Sequence, residues 1–279
     1  MNTKIKISLL LIVIAIAATA TITMIHSQSS RDSKPQKKQD INIGEMPIAD
    51  YTSSVSSDLQ ERTTRVKRSK RYNMDFKHTG GVGDAKRFML TENRESSYGG
   101  FPTHAPEEPA IPAASSDAVV IGEVTNAKAY LSEDKTAIYS EFNVAVSAVL
   151  KNKIIESLSP GTDITVSRGG GAVRFSSGKI IRNLFGGKPL PGINRKYIFF
   201  LKYNEEGQDY PIITAYQLND GKITPLDGIN IDGSLVNELA SHQSYKGESE
   251  TAFLNQVQAA IGASKDVFEQ GVFEKRIMP

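Results

Sequence analysis

The side chains that most often perform catalysis are few and scattered in this sequence. The four histidines are His26, His78, His104 and His242. Their separation along the chain indicates neither a metal cluster nor a base placed beside a nucleophile. There is no cysteine, which excludes disulfide bonds, thiolate metal sites and cysteine nucleophiles. We therefore expect no catalytic centre, no metal site and no cofactor.

Two Ser-x-x-Lys tetrads, at 132–135 and 176–179, match a pattern found in serine–lysine acyl enzymes. That chemistry needs the motif at the start of a helix. Both tetrads instead lie in polar, turn-forming stretches between apolar segments, so they are interpreted as turns.

The segment Gly228 to Gly233 resembles a calcium-binding loop. Its first ligand position is a glycine, and its twelfth is Leu239 where a bidentate Glu is required, so it is not an EF-hand. Two alternatives stay open for the nearby carboxylates. One is a looser cation site formed by Asp227 and Asp232, and the other is a hydrolase site in which one of them meets His242.

Charge is unevenly distributed, although the formal net charge is only +2. Residues 164–204 contain no Asp or Glu. In the stretch that follows, 205–250, nine charged residues are acidic and two are basic. Arg174 and Arg182 are expected to face each other across a hairpin, where like charges destabilise the pair unless an anion lies between them. The sequence therefore predicts either an anion-binding face or internal pairing with the acidic stretch. The predicted binding residues are Arg168, Arg174, Lys179, Arg182, Lys188 and Arg195.

These residues belong to a part of the chain that is patterned as β-strands. The segment 117–124 and the segment 138–150 are expected to form a hairpin, with the polar residues 132–136 as its turn. In the second arm the apolar side chains alternate with mostly polar ones, which is the period of a half-buried strand. The rest of the domain is expected to build on this hairpin.

Further strands and one helix complete the predicted domain. The segment 197–203 is apolar on both faces, which favours a central strand covered on both sides. Asp220-Gly221 predicts a tight hairpin turn between two late strands. Helical spacing of apolar residues follows Ser249, a candidate N-cap, and Gly262 is expected to end this helix, which should plug or flank the barrel. The other predicted strands are 164–167, 172–175, 179–185, 210–218 and 222–226.

The strand sequences DAVVIGEV at 117–124 and RKYIFFLKY at 195–203 resemble those of netrin-like domains, the family of the tissue inhibitors of metalloproteinases. The chain resembles more closely uncharacterised bacterial extracytoplasmic proteins of that general pattern. The resemblance implies a mainly β fold, an OB-like Greek-key barrel with a C-terminal helix, over 113–262. It also implies a binding or inhibitory role. The inhibitors place an N-terminal Cys on zinc, and that mechanism cannot apply to a chain without cysteine.

The N-terminus is predicted to be a membrane segment, residues 1–26. Lys4 and Lys6 precede the apolar run from Ile7 to Ile25, which is long enough to cross a bilayer and would leave the remainder of the chain outside the cytoplasm. It is interpreted as an uncleaved signal anchor. Cleavage after Ala18-Thr19-Ala20, giving a secreted protein, is the alternative.

Residues 27–112 are predicted to be a polar, largely disordered spacer, with possible short edge strands at 72–77 and 87–91. A basic run from Arg62 to Arg71 within it either contacts an anionic surface or is a solvated tether. Residues 263–279 are predicted to be a tail.

The sequence thus predicts a membrane-tethered extracytoplasmic binding module rather than an enzyme. Its expected ligand is an anionic envelope polymer, a lipid headgroup or an acidic protein segment, and nucleic acid is not expected outside the cytoplasm. A netrin-like peptidase inhibitor is the second hypothesis, and an unrecognised hydrolase is the third.

Overall fold

The computed structural model describes residues 46–52, 59–73, 89–93, 95, 97–99, 107–154, 158–230 and 232–277. The predicted anchor lies outside these residues. In the part of the chain that is described, no helix is both long enough and apolar enough to cross a membrane. The strands are β1 Ile48–Asp50, β2 Ser97–Gly99, β3 Ala118–Leu131, β4 Ile138–Asn152, β5 Asp163–Gly169, β6 Gly171–Arg174, β7 Ile180–Phe185, β8 Lys196–Leu201, β9 Tyr210–Asn219 and β10 Lys222–Pro225. The helices are α1 Leu59–Lys70, a 3₁₀ turn Asn237–Leu239, α2 Ala240–Gln243 and α3 Glu250–Ile277.

The domain is mainly β with a C-terminal helix, as predicted. Strands β3 and β4 form the long antiparallel hairpin, paired from Leu131 with Ile138 back to Ala118 with Asn152. The turn closes with the Ser132 amide donating to the Ala137 carbonyl, and Lys135 takes the left-handed conformation there. Three register shifts along the pair curl it, since bulges increase the local twist.

Five strands close into a ring of pairings. β3 pairs with β4, β4 with β5, β5 with β9, β9 with β8, and β8 returns to β3. Every pairing in the ring is antiparallel except β5 with β9, which is parallel and consists of Val166 with Tyr210 and Ser167 with Pro211. Strand β10 extends the sheet beside β9 through the predicted turn, where Asp220 and Gly221 both have positive φ. That geometry is typical of a two-residue hairpin turn.

Strand β8 has apolar side chains on both faces, as expected from its sequence. Tyr197, Phe199 and Leu201 pack inside the ring with residues of the other strands. Ile198 and Phe200 point the other way and pack under α3. The helix therefore flanks the barrel and seals the outer surface of its central strand.

Helix α3 begins where the sequence predicts and continues further than predicted. The Ala252 amide donates to Ser249 Oγ at 3.2 Å, which is an N-cap hydrogen bond. The expectation that Gly262 ends the helix is wrong, because α3 continues to Ile277. Gly262 is exposed with open space around its Cα, and an interior glycine costs only about 1 kcal/mol.

A second sheet has the order β1-β6-β7-β2. Strands β6 and β7 form the predicted hairpin, while β1 and β2 add parallel edges from the region predicted as spacer. These edges lie at 48–50 and 97–99 rather than at the predicted positions. Of those positions, residues 72, 73 and 89–91 are not strand, and the others lie outside the described residues. The predicted spacer also contains helix α1, which the sequence interpretation did not include.

Candidate binding site

The six basic residues predicted to bind an anion lie on three separate segments: the end of β5, the β6–β7 hairpin and the loop before β8. Arg168 is 5% exposed and makes a two-pronged ion pair with Asp227, at 2.7 and 2.8 Å. It also donates to the carbonyls of Pro189 and Ile213. These contacts favour internal pairing of Arg168 over contact with a ligand. Its guanidinium is an internal cation that neutralises a fully buried carboxylate.

The expected opposition of Arg174 and Arg182 does not occur. Strand pairing places Arg174 opposite Ile180 and Arg182 opposite Ala172. The Phe175 amide donates to the Lys179 carbonyl and sets this register. Because the two arginines are not direct cross-strand partners, their spacing does not call for an anion between them.

The remaining predicted residues have partners within the chain. Lys188 Nζ donates to both carboxylate oxygens of Glu108, at 2.6 and 2.8 Å. Lys179 Nζ donates to the Glu92 carbonyl, and Arg174 lies 3.8 Å from Asp50. Arg195 Nη1 donates to Gln217 Oε1 at 3.4 Å. None of these partners is an acidic residue of the stretch 205–250, whereas Arg168 makes the predicted pairing with that stretch, and an anion-binding face stays a prediction.

The candidate acid–base residues Asp227, Asp232 and His242 are not joined by hydrogen bonds, although Asp227 is close enough to oppose the burial-driven fall in the pKa of His242. Asp227 is fully buried and engaged by Arg168, while Asp232 is exposed and accepts hydrogen bonds from Ser234. The His242 side chain is fully buried beside the Tyr216 ring. Burial lowers the pKa of His242. Among the residues that the structure describes, no group of three metal-ligating side chains is present.

A different site is formed where helix α1 lies on the barrel. Arg68 Nε donates to the Gly207 carbonyl at 2.6 Å, and its Nη2 donates to the Gln208 carbonyl at 3.2 Å. Its Nη1 lies 3.1 Å from Glu141 Oε2, and both side chains of this pair are largely buried. Burial raises the pKa of Glu141, and the neighbouring Arg68 and Arg65 oppose that rise.

Arg71, one turn further along, contacts the fully buried Asp209. Its Nη2 donates to Asp209 Oδ2 at 2.7 Å and to Ser167 Oγ at 2.9 Å. Asn204 Nδ2 donates to the other carboxylate oxygen at 2.7 Å. A carboxylate removed from water is costly unless charged and polar donors surround it, and Arg71 is the cation that meets this need.

Aromatic rings complete the same site. The Tyr72 ring stacks on Tyr139 with centroids 4.6 Å apart and planes 8° apart, and its hydroxyl lies 3.0 Å from Ser167 Oγ. The Arg65 guanidinium lies 4.4 Å from the centroid of Tyr130, a cation–π distance. We call the barrel side of this site the arginine-binding face. Its members are Tyr130, Tyr139, Glu141, Ser167 and Asp209, together with the carbonyls of Gly207 and Gln208.

Sequence reasoning missed this site because its two halves are far apart in the chain. Arg68 and Glu141 are separated by 73 positions, and Arg71 and Asp209 by 138. One signal was present: Arg65, Arg68 and Arg71 recur at three-residue spacing, which aligns side chains along one side of a helix. Glu61 and Arg65 also form a helical i,i+4 pair.

The chain was also compared with known protein families and with characterised proteins. No family model and no characterised protein matches it.

Proposed function

We propose that this chain is a non-catalytic, membrane-tethered extracytoplasmic binding module with an OB-type barrel, and that its arginine-binding face recognises a basic helical protein segment. Helix α1 is the occupant of that face in this structure. The ligand would carry arginines at the spacing of Arg65, Arg68 and Arg71, and the charge of the ligand is the reverse of the charge expected from the sequence.

The strand connectivity supports an OB-type barrel. In chain order, the first to fifth strands of the ring are β3, β4, β5, β8 and β9. The first three pair in succession, the third pairs in parallel with the fifth, and the fourth lies between the fifth and the first. OB folds bind ligands on the face of their second and third strands, between the loop joining strands one and two and the loop joining strands four and five. The equivalent loops here are 132–137 and 202–209. The netrin-like resemblance adds an inhibitory role as a hypothesis, and no contact in the site favours it.

Helix α1 lies at that location. Arg68 reaches the second strand through Glu141, and Arg71, in the turn that follows the helix, reaches the third strand through Ser167. The same two arginines contact the later loop at Gly207, Gln208 and Asp209. Lys70 approaches Glu133 of the earlier loop at 3.7 Å, between side chains that are both exposed. The occupant therefore spans the whole ligand-binding region of an OB-type barrel.

The observation that carries the proposal is the burial of Asp209 with Arg71. A fully buried carboxylate that accepts hydrogen bonds from Arg71, Ser167 and Asn204 is a receptor for a guanidinium. Arg71 contacts both carboxylate oxygens, through Nη2 to Oδ2 at 2.7 Å and through Nη1 to Oδ1 at 3.4 Å. Lysine would supply a single point charge in place of this two-pronged contact, so the face should prefer arginine.

The test uses the full-length chain in detergent micelles. Replacing Arg68 and Arg71 by Gln removes the charges that hold α1, and a fluorescent peptide with the sequence of residues 59–73 is then titrated. Because an intramolecular segment competes at an effective concentration near the millimolar range, the peptide should bind the double variant at least tenfold more tightly than the wild-type chain.

Two controls decide the outcome. Adding Asp209→Asn to the double variant should weaken peptide binding at least tenfold, and so should a peptide with its three inward arginines changed to lysine. Equal binding by the wild type and the double variant, or no effect of Asp209→Asn in a variant with native circular dichroism, would refute the proposal.

A further inference from the structure

Helix α1 has a second face that points away from the barrel. The inward face is shielded: the side chains of Arg65 and Arg68 are 17% and 14% exposed, and Ser69 is buried. The outward face has the opposite character, with Leu59 75% exposed and Val66 37% exposed. The helix is therefore covered along one side only.

The outward face combines cations with apolar side chains. Arg62 and Lys67 are exposed, and the Lys70 side chain is 59% exposed. Leu59, Arg62, Val66 and Lys70 follow one another at steps of three or four residues, which places them in one stripe along the helix. The acidic residue of the helix, Glu61, is held by Arg65. The stripe is consequently basic and partly apolar.

We propose that this outward stripe docks on an anionic lipid bilayer. A helix surface that presents Lys and Arg beside exposed aliphatic side chains is complementary to acidic headgroups and to the boundary beneath them. The proposal does not depend on the proposed function, because Leu59, Arg62 and Val66 make none of the contacts that define the arginine-binding face. Lys70 makes a long contact with Glu133, which lies outside that face.

The sequence also supplies a reason to choose a bilayer as the partner. The apolar run that ends at Ile25 is predicted to be a membrane segment, so a membrane surface is the anionic surface that we assign to the stripe. Each cation near an anionic surface strengthens binding about fivefold, so Arg62 and Lys67 together contribute about 25-fold.

The test places a probe on the stripe of the full-length chain. Because the chain has no cysteine, Thr63→Cys can be labelled uniquely with an environment-sensitive dye. Thr63 is exposed on α1, and Ser177→Cys in the β6–β7 turn provides an exposed reference site. Emission is compared in vesicles of phosphatidylcholine alone and in vesicles with about one-third phosphatidylglycerol.

The dye at position 63 should shift to the blue in phosphatidylglycerol vesicles, return in high salt and stay unshifted in pure phosphatidylcholine. The reference dye at position 177 should not respond. Arg62→Gln with Lys67→Gln should lower the ratio of bound to free helix about 25-fold, whereas the charge-matched control Lys222→Gln with Lys246→Gln, both exposed elsewhere, should leave it unchanged.

Equal emission in the two lipid compositions would overturn the proposal, as would equal loss in the two double variants. Since Arg62 and Lys67 lie outside the contacts with the barrel, native circular dichroism of the variant separates weak lipid binding from misfolding. The peptide titration of the arginine-binding face is a separate measurement, so either proposal can fail while the other stands.

Discussion

Replacement of Arg168 by Met tests whether this residue is an internal cation. Methionine keeps the length and apolar volume of the side chain but removes both hydrogen bonds to Asp227 and those to two backbone carbonyls. Asp227 is fully buried, so its carboxylate would be left without a cation. Breaking a buried ion pair from one side costs about 3–5 kcal/mol, which we expect as the loss in the free energy of unfolding.

Urea denaturation measures this loss. The chain has no tryptophan, so circular dichroism is the appropriate signal. With a denaturant slope of about 2 kcal/mol/M for a domain of this size, the midpoint should fall by about 1.5–2.5 M urea. The double variant Arg168→Met with Asp227→Leu removes the stranded carboxylate as well and should recover most of the loss.

A midpoint shift of less than about 0.5 M urea for Arg168→Met, or a double variant less stable than the single one, would contradict the role of Arg168 as an internal cation. Arg195→Met is the matched control, because Arg195 is exposed and makes one long hydrogen bond to Gln217. It should change the free energy of unfolding by no more than about 0.5 kcal/mol.

Three further predictions concern single side chains. Burial lowers the pKa of His242 below 6.5, so as the pH falls the unfolded chain binds a proton there before the folded chain does, and the free energy of unfolding should decrease below about pH 6.5. In urea titrations at several pH values, His242→Phe should reduce this decrease, and an unchanged pH dependence would contradict the assignment to His242. Burial lowers the pKa of Lys151 from 10.5 to about 8, so the unfolding free energy should rise between those two pH values, and Lys151→Met should lack the rise. Ser249→Ala should cost about 1 kcal/mol through the lost cap of α3, with Thr251→Ala as the control that leaves the cap intact.

Local features of the fold were predictable from the sequence. The β3–β4 hairpin, the Asp220-Gly221 turn and the N-cap at Ser249 each depend on residues that are neighbours in the chain. Strand β8 was predictable because a run that is apolar on both faces must be covered twice. The mainly β class with a C-terminal helix follows from these elements.

The arginine-binding face was not predictable in the same way. Helix α1 buries guanidinium groups rather than an apolar stripe, so hydrophobic periodicity gives no signal for it. The alternation in β4 also misleads, because Tyr139 and Glu141 occupy the polar positions of the pattern and are nevertheless buried. Their burial depends on a helix that lies far away in the chain.

Charge counting was partly informative. The basic stretch does pair with the acidic stretch through Arg168 and Asp227, which was one of the two alternatives. The expected contact of Arg174 with Arg182 failed because a hairpin's register depends on its turn hydrogen bonds, and the Phe175 to Lys179 closure moves the two residues out of opposition.

The parallel seam between β5 and β9 is the weakest junction of the ring. It has two residue pairs, and Pro211 in one of them has no amide hydrogen to donate. Arg71 bridges the two strands of this pair, because it donates hydrogen bonds to Ser167 on β5 and to Asp209 just before β9. Helix α1 and Arg71 thus hold β5 and β9 together, and dissociation of the helix would let this strand pair open locally. Amide hydrogen exchange in β5 should then become faster when the helix dissociates.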